Sequence, residues 1–424
     1  MNNSETEPVL REPGSRPHPG VPAGTDMIPQ IKHIVVLMME NHSYDNHLGM
    51  LRRAGADGLP LGSDGMPIAT NPYGDGRVQH AFRMPTTCQV FGHPSQSWQA
   101  SHAQRAAGQL DGFVTSGGPA AMGYWQREDL PFYYSLASVF PIADRYFCSL
   151  LGPTFPNRRY LMAATSIGMI NDTVPGPTDY PQNGTIFDRL NDAGVQWRDY
   201  FSLTSIASQL ALFPRLLVKY AGNLRPVGEF FEDAQAGTLP GFCMVEPNYG
   251  LYSEESPQNI ALGERFAAKV INAVMTGPAW EDSLLIWCYD EHGGYYDHVD
   301  PPAAIPPDDI PPDTNGGNAY SGFSRYGFRV PCALISPWSR ADYVSHNVFD
   351  HTSICALVEA KWNLAALTRR DANAHNMLDM LDFSQPHFKQ PPALAKPLAE
   401  QDLGALACIV TGPGTIPPPG SVSH

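Results

Sequence analysis

Three short stretches carry residues whose types and spacing could do chemistry. Glu40-Asn41 follows the apolar run Ile31–Met39 (IKHIVVLMM) and opens the polar cluster ENHSYDN. A carboxylate and an amide at the end of a buried strand offer hard oxygen ligands where it is costly to leave them unused. The competing structural explanation is that Asn41 caps the next segment and Glu40 pairs with a basic residue. Asp290-Glu291 repeats the pattern after Ser283–Tyr289 (SLLIWCY), and the continuation HGGYYDH adds His292, Asp297 and His298. So much acid at neighbouring strand ends repels itself without a cation. Oxygen donors favour Mg²⁺, Ca²⁺ or Mn²⁺, and added histidine opens the site to zinc or iron. Asp297 and His298 also read as a structural turn pair, and Gly293-Gly294 as a tight turn with close backbone approach. The third stretch is LLGPTFPNRRYL. Gly152-Pro153 bends the chain and Pro156 suits a first helical turn, which places the Thr154 hydroxyl at a helix N-terminus. Free N–H groups and the dipole favour an anion there. A threonine becomes a competent nucleophile when a metal or base lowers its pKa. Alone, it would pass for an ordinary N-cap.

The elements that must position these residues are strands and helices in alternation. Continuous apolar runs with β-branched residues at 31–39, 283–289 and 330–335 read as parallel strands buried on both faces, each ending in a polar cluster. Shorter candidates are 195–201 and 241–245, the latter followed by EPN. Helical stretches fall at 157–166, 186–192, 259–275 and 352–362. The alternation predicts an α/β sandwich around a mostly parallel sheet, with sites beyond the carboxyl ends of its strands. Residues 1–29 read as a flexible or draped N-terminal arm and 30–384 as the body. Within the body, the loop-rich 50–130 is a cap or insertion; residues 385–424 form a Pro-rich tail.

Composition narrows the classes. The 424 residues are 43% hydrophobic and 16% charged, enough for a sizeable core, and 41 Pro with 38 Gly imply long ordered loops. A net charge of −15 argues against general nucleic-acid binding, which needs a basic face. It leaves an anionic substrate open, because a bound cation can reverse the local field. Seven scattered cysteines without a CxxC pair are expected to be buried free thiols. The N-terminus lacks a basic start and an apolar h-region, and no apolar run is long enough for a membrane span. The expectation is a cytoplasmic protein, or a secreted one if a leader has been removed.

Taken in order, HIVVLMMENHSYDNHLG, LLGPTFPNRR, WCYDEHGGYYDHVDPP, RVPCALISPWSR and FDHTSI resemble the successive blocks of a bacterial phosphoesterase family. That family includes phosphatidylcholine-type phospholipases C and certain acid phosphatases. The blocks span most of residues 31–383, and LTRRDANAHNMLDMLDF resembles the family's closing segment. The resemblance implies an alkaline-phosphatase-like three-layer α/β sandwich with one divalent metal, whether Ca, Mn, Mg or Zn. Glu40, Asn41, Asp290, Glu291 and Thr154 would hold it. Thr154 would attack phosphorus to form a phosphothreonine that water then hydrolyses. Arg158 is the candidate cation for binding substrate.

Histidines are the natural helpers. His102 matches the second His of a family block and could bind a substrate oxygen or protonate the leaving group. His298 is a second acid–base candidate, and His93 and His351 are substrate-binding candidates. Two positions depart from the family pattern. Gln96 stands where the family has a histidine, and SEESPQNIALGER puts Glu255 or Ser256 where a His-Pro-Pro stretch is usual. The partner expected is therefore a phosphate ester, with phospholipid diesters first and phosphomonoesters as the alternative. A non-catalytic anion- or metal-binding relative is the third reading. Tyr124, Trp125, Phe132, Tyr133 and Tyr134 could form a cation–π cage for choline, although such clusters are more often core packing.

Overall fold

The run at 31–39 becomes the middle of the sheet because it is apolar on both sides. The computed structural model describes residues 10–174, 176–203, 208–398 and 408. Among them, eight strands form the main sheet: β1 (His33–Met39), β2 (Ile142–Ala143), β3 (Trp197–Phe201), β4 (Leu224–Pro226), β5 (Phe242–Val245), β6 (Ser283–Tyr289), β7 (Cys332–Ile335) and β8 (Val344–Ser345). Their order is β8-β2-β7-β6-β1-β5-β3-β4. All neighbours are parallel except β7, which runs antiparallel to β6 and β2. β1 and β6 are buried along nearly their whole length, which is why neither shows alternation.

Eight of the α-helices, labelled in chain order, are α1 (Tyr44–Leu48), α2 (Trp98–Arg105), α3 (Pro131–Val139), α4 (Thr154–Ala163), α5 (Ile186–Asp192), α6 (Val227–Ala236), α7 (Ile260–Thr276) and α8 (His351–Trp362). α7 packs on β1 and β6 and against α3 and α6, while α4 packs with α8 and α5 as a separate group. The sheet is thus flanked by helices, the expected α/β sandwich. In α7 the buried positions Val270, Ile271, Val274 and Met275 recur at helical spacing. Its N-terminus is capped by Asn259, whose side chain accepts from the Ala261 N–H. α8 is buried all round. Its outer end is covered by the described part of the N-terminal arm: the Asn363 amide donates to the carbonyls of His18 and Val21, and Gly24 N–H donates to Trp362 O.

Two expectations are corrected here. Because β7 is antiparallel, SPWSR lies at the opposite end of the sheet from DEHGG. What the entry to β7 brings to the site end is Arg329, three residues before the strand. The cysteines are not all free: Cys88 and Cys408 form a disulfide with Cα atoms 5.3 Å apart, and the other five are buried thiols. Residues 50–130 hold two small two-stranded pairings and α2. Residues 1–9 of the arm, and residues 399–424 of the Pro-rich tail apart from Cys408, lie outside the described residues.

Candidate active site

Parallel register brings the two acidic dipeptides out of the sheet side by side. His33 pairs with Ser283 and Met39 with Tyr289, so Glu40-Asn41 and Asp290-Glu291 follow at the same level. Asp290 N–H donates to Met39 O and Asn41 N–H to Asp290 Oδ1, the latter at 3.1 Å. Asn41 is left-handed (φ 67°), a conformation that Asn tolerates better than most residues. One atom of its amide lies 3.0 Å from Glu291 Oε1 and 3.2 Å from both Asp290 Oδ1 and Thr154 Oγ1. The turn after Glu291 requires glycine, since a Cβ on Gly293 would stand 1.9 Å from Asn41 O.

α4 begins at Thr154, three residues before the start expected from the sequence, with Pro153 as its cap. The Thr154 hydroxyl is therefore free of capping work and lies 3.2 Å from the Asn41 amide. The next N–H, Phe155, donates to Asp172 Oδ1 at 2.7 Å. One turn on, Arg158 is buried against the same acids. Its Nε donates to Asp290 Oδ2 at 2.9 Å, its Nη2 lies 3.6 Å from Glu40 Oε1, and its guanidinium lies over the Tyr249 ring. Arg158 thus holds the site carboxylates in place.

One guanidinium is too little charge for Glu40, Asp290 and Glu291 together. Burial raises all three from the ordinary carboxylate value; Arg158 works against this at Glu40 and Asp290, and the neighbouring Asp290 adds to it at Glu291. Glu40 Oε2 is buried without a hydrogen-bond partner. Oxygens of Thr154, Asp290 and Glu291 converge on one atom of the Asn41 amide, which as its NH2 group donates to all three. With the amide turned so that its Oδ1 faces inward, the same atoms make an all-oxygen donor set of the kind a hard divalent cation takes. In donor chemistry, Asn41, Thr154, Asp290, Glu291 and the orphaned oxygen of Glu40 suit a hard cation.

A cleft of about 350 Å³ opens above Thr154, Glu40 and Arg158, with Phe155, Val174, Leu212 and Tyr249 among its walls and Asp172 and Glu255 at its acidic edge. Past Asp172 and Pro153 lies a second recess of about 280 Å³, lined by Ser95, Gln96, Ser97, Gln99 and Asn171 over Trp98. Glu255, at one of the departures from the family pattern, lines the first chamber. Burial, then Asp290 and Asp172, push its pKa up to about 7.

The histidines are more dispersed than expected. His351 is buried behind the site, its Nε2 2.7 Å from Asp290 O and its Nδ1 2.9 Å from Tyr146 OH; burial pushes it down to about 3. His102 stacks on Tyr320 with ring centroids 4.0 Å apart, meets Trp98 O, and does not line the cleft. His298 also stands outside the lining, bound to Asp45 and Asp57. Burial opposes its protonation, but the Asp45 contact prevails and its pKa is raised. His93 is exposed and outside the lining of both chambers. The five aromatics considered for a choline cage are all buried core residues. The aromatic walls of the cleft are Phe155 and Tyr249 instead. Tyr249 follows the EPN cluster after β5, a signal that could have found it; Asp172 sits in a polar loop that carries none.

Among the described residues, two groups of three bring His and carboxylate donor atoms within 4.8 Å of one another, His42–His47–Glu254 and Asp45–Asp297–His298; Glu40, Asp290 and Glu291 are not so tightly gathered. In the second, Arg329 already donates to Asp297 at 2.9 Å and to Asp45 at 3.1 Å.

Comparison with known proteins finds relatives of the chain. The family model described as "Phosphoesterase family" matches residues 31–365. Phospholipase C A of Mycobacterium tuberculosis is 32% identical over 94% of this chain and 84% of its own length. Non-specific phospholipase C1 of Arabidopsis thaliana is 35% identical over 81% of this chain and 69% of its own. Among solved structures, a protein in the alkaline phosphatase superfamily from Vibrio parahaemolyticus covers 91% of this chain and 73% of its own at 10% identity, with a TM-score of 0.39.

Proposed function

This chain belongs to the Phosphoesterase family and is a hydrolase of phosphoric ester bonds; from that premise, we propose that it is a metal-dependent phosphodiesterase of phospholipase C type with Thr154 as nucleophile. The observation that carries the diester reading is the position of Thr154, at the foot of one chamber and beside a second. A phosphorus held there has room for a substituent on each side. The first chamber has apolar walls suited to an acylglycerol, while the second offers amides and hydroxyls suited to a polar headgroup. A monoester would need only one.

Glu40, Asn41, Thr154, Asp290 and Glu291 would hold one divalent ion, which supplies a lowered hydroxyl pKa and neutralises charge on phosphoryl oxygen. The remaining work belongs to the chain itself. Asn41 orients the Thr154 oxygen through their 3.2 Å contact. Arg158 fixes the Asp290 carboxylate, and His351 fixes its carbonyl. As the Thr154 Oγ–P bond forms, the hydroxyl proton passes to solvent in the cleft, the P–O bond to the leaving alcohol breaks and that oxygen takes up a proton. Glu255 is the cleft acid placed to give it. Water then splits the phosphothreonine. The named relatives are phospholipases C, which supports the same reading.

The test compares p-nitrophenyl phosphorylcholine with p-nitrophenyl phosphate, metal-stripped and metal-restored, for wild type, Thr154→Ala and Thr154→Ser. We expect faster diester cleavage, loss by chelation, a fall of at least about 10³-fold in Thr154→Ala and partial activity in Thr154→Ser. A monoester preference moves the assignment to acid phosphatase. Full activity in Thr154→Ala removes the nucleophile. Metal binding without turnover of either ester makes the chain a non-catalytic relative.

A further inference from the structure

Glu254 stands one residue before the cleft acid Glu255 and one after Ser253, whose carbonyl accepts the Glu40 N–H at 2.9 Å. Its backbone is in the left-handed region (φ 80°), which a residue with a long side chain rarely adopts. It is held there from every side. Tyr133 OH donates to Oε1 and Tyr289 OH to Oε2, both at 2.6 Å, and His47 Nε2 meets Oε2 at 2.9 Å. Its carbonyl meets Gln89 Nε2 at 2.7 Å and His42 Nε2 at 3.0 Å, and its N–H donates to Gln258 Oε1 at 3.2 Å. Even the helix behind makes room, since a Cβ on Gly263 would lie 2.1 Å from Glu254 Cγ. A strained residue that is fully buried and fully satisfied is over-determined by its surroundings, and such strain gathers at functional sites.

We propose that Glu254 is a positioning residue: by pinning the 253–255 turn, it fixes Glu40 at the strand end and turns Glu255 into the cleft. This rests on the reading of Glu40 as a metal ligand. The donors that pin it come from four separate places: Gln89, the segment entering and forming α1, α3 and the end of β6. Loss of one contact should therefore loosen the turn without unfolding the core, as outer partners of a metal ligand tune affinity by about 10- to 100-fold.

The test is Mn²⁺ binding to the purified full chain, followed by the fall of the free-ion EPR signal, in wild type, Glu254→Gln, Tyr133→Phe and Glu40→Gln. Thermal melts and Mn²⁺-dependent rates are recorded alongside. We expect a folded Glu254→Gln with an Mn²⁺ Kd raised about 10- to 100-fold, and activity regained at saturating Mn²⁺. Tyr133→Phe should show a smaller shift in the same direction, and it carries the test if Glu254→Gln does not fold. An unchanged Kd in both variants, with Glu40→Gln weakened, overturns the inference. So does binding of two ions by wild type with one lost in Glu254→Gln, which would make His42, His47 and Glu254 themselves an ion site. If Glu40→Gln binds Mn²⁺ as wild type does, the metal-ligand reading fails first and takes this inference with it.

Discussion

Arg158 shows how a single residue can be both scaffold and sensor of the site. It is buried and shared between Glu40 and Asp290, so it offsets part of a charge excess that a cation would complete. Burial works against its own protonation, but Tyr249, Asp290 and Glu40 hold the guanidinium charged. Replacing it leaves carboxylates buried and uncompensated, a loss worth about 3–5 kcal/mol when one partner of a buried pair is removed. Arg158→Met should therefore melt well below wild type in chelator. With saturating Mn²⁺ the gap should narrow, because an ion that binds only the folded chain supplies part of the missing charge. Melting curves with and without metal check this; equal losses in both conditions would show that the acids do not share an ion.

At the scale of elements, α5 offers a prediction independent of catalysis. Thr185 and Asp188 form a capping box at its start. Asp188 also accepts from Lys219 at 2.6 Å and Tyr220 at 2.7 Å, tying the helix to the segment 215–220. Burial would raise the Asp188 pKa, but these donors outweigh it and lower it to about 2. A folded pKa below the unfolded value of about 4 means the contribution is complete above about pH 4 and vanishes as pH falls toward 2. It amounts to about 2 kcal/mol once solvent screening at Lys219 is allowed for. Asp188→Asn should lower stability by about that much at neutral pH and flatten the acid limb of a denaturation series. The same scale shows what the sequence made legible. β1 and β6 stand out as unbroken apolar runs, and their polar exits locate Glu40, Asn41, Asp290 and Glu291. Direction is not legible: VPCALI reads the same in a parallel or an antiparallel strand, which hides both the true place of SPWSR and the role of Arg329 three residues before β7. The start of α4 shifts by three residues because Pro156 is compatible with more than one position in a first turn. Glu254 is invisible as an anchor because its partners, Tyr133, Tyr289 and His47, are brought together only by tertiary packing.

Over the whole molecule, two features act at a distance. The disulfide joins Cys88 to Cys408 across 320 residues, closing about three-quarters of the chain into one loop. Cys88 bridges to Asn259, the cap of α7, and the neighbouring Gln89 contacts the Glu254 carbonyl. Cys408→Ser, or reduction of wild type, should cost about 2–4 kcal/mol in a denaturant titration. Identical midpoints with and without reductant would count against the bridge. The second feature is the net charge of −15, which opposes the approach of any anion. A phosphomonoester dianion meets that repulsion in full, whereas a zwitterionic phosphocholine diester carries little net charge and meets little of it. Salt screens the long-range part, with a Debye length shrinking from about 30 Å at 0.01 M to about 10 Å at 0.1 M. Raising ionic strength across that range should therefore increase kcat/KM for p-nitrophenyl phosphate several-fold while leaving p-nitrophenyl phosphorylcholine nearly unchanged. The dependence isolates the field of the molecule from the fit of the cleft: a diester preference that disappears in salt is electrostatic exclusion of the monoester, and one that persists is set by the two chambers beside Thr154.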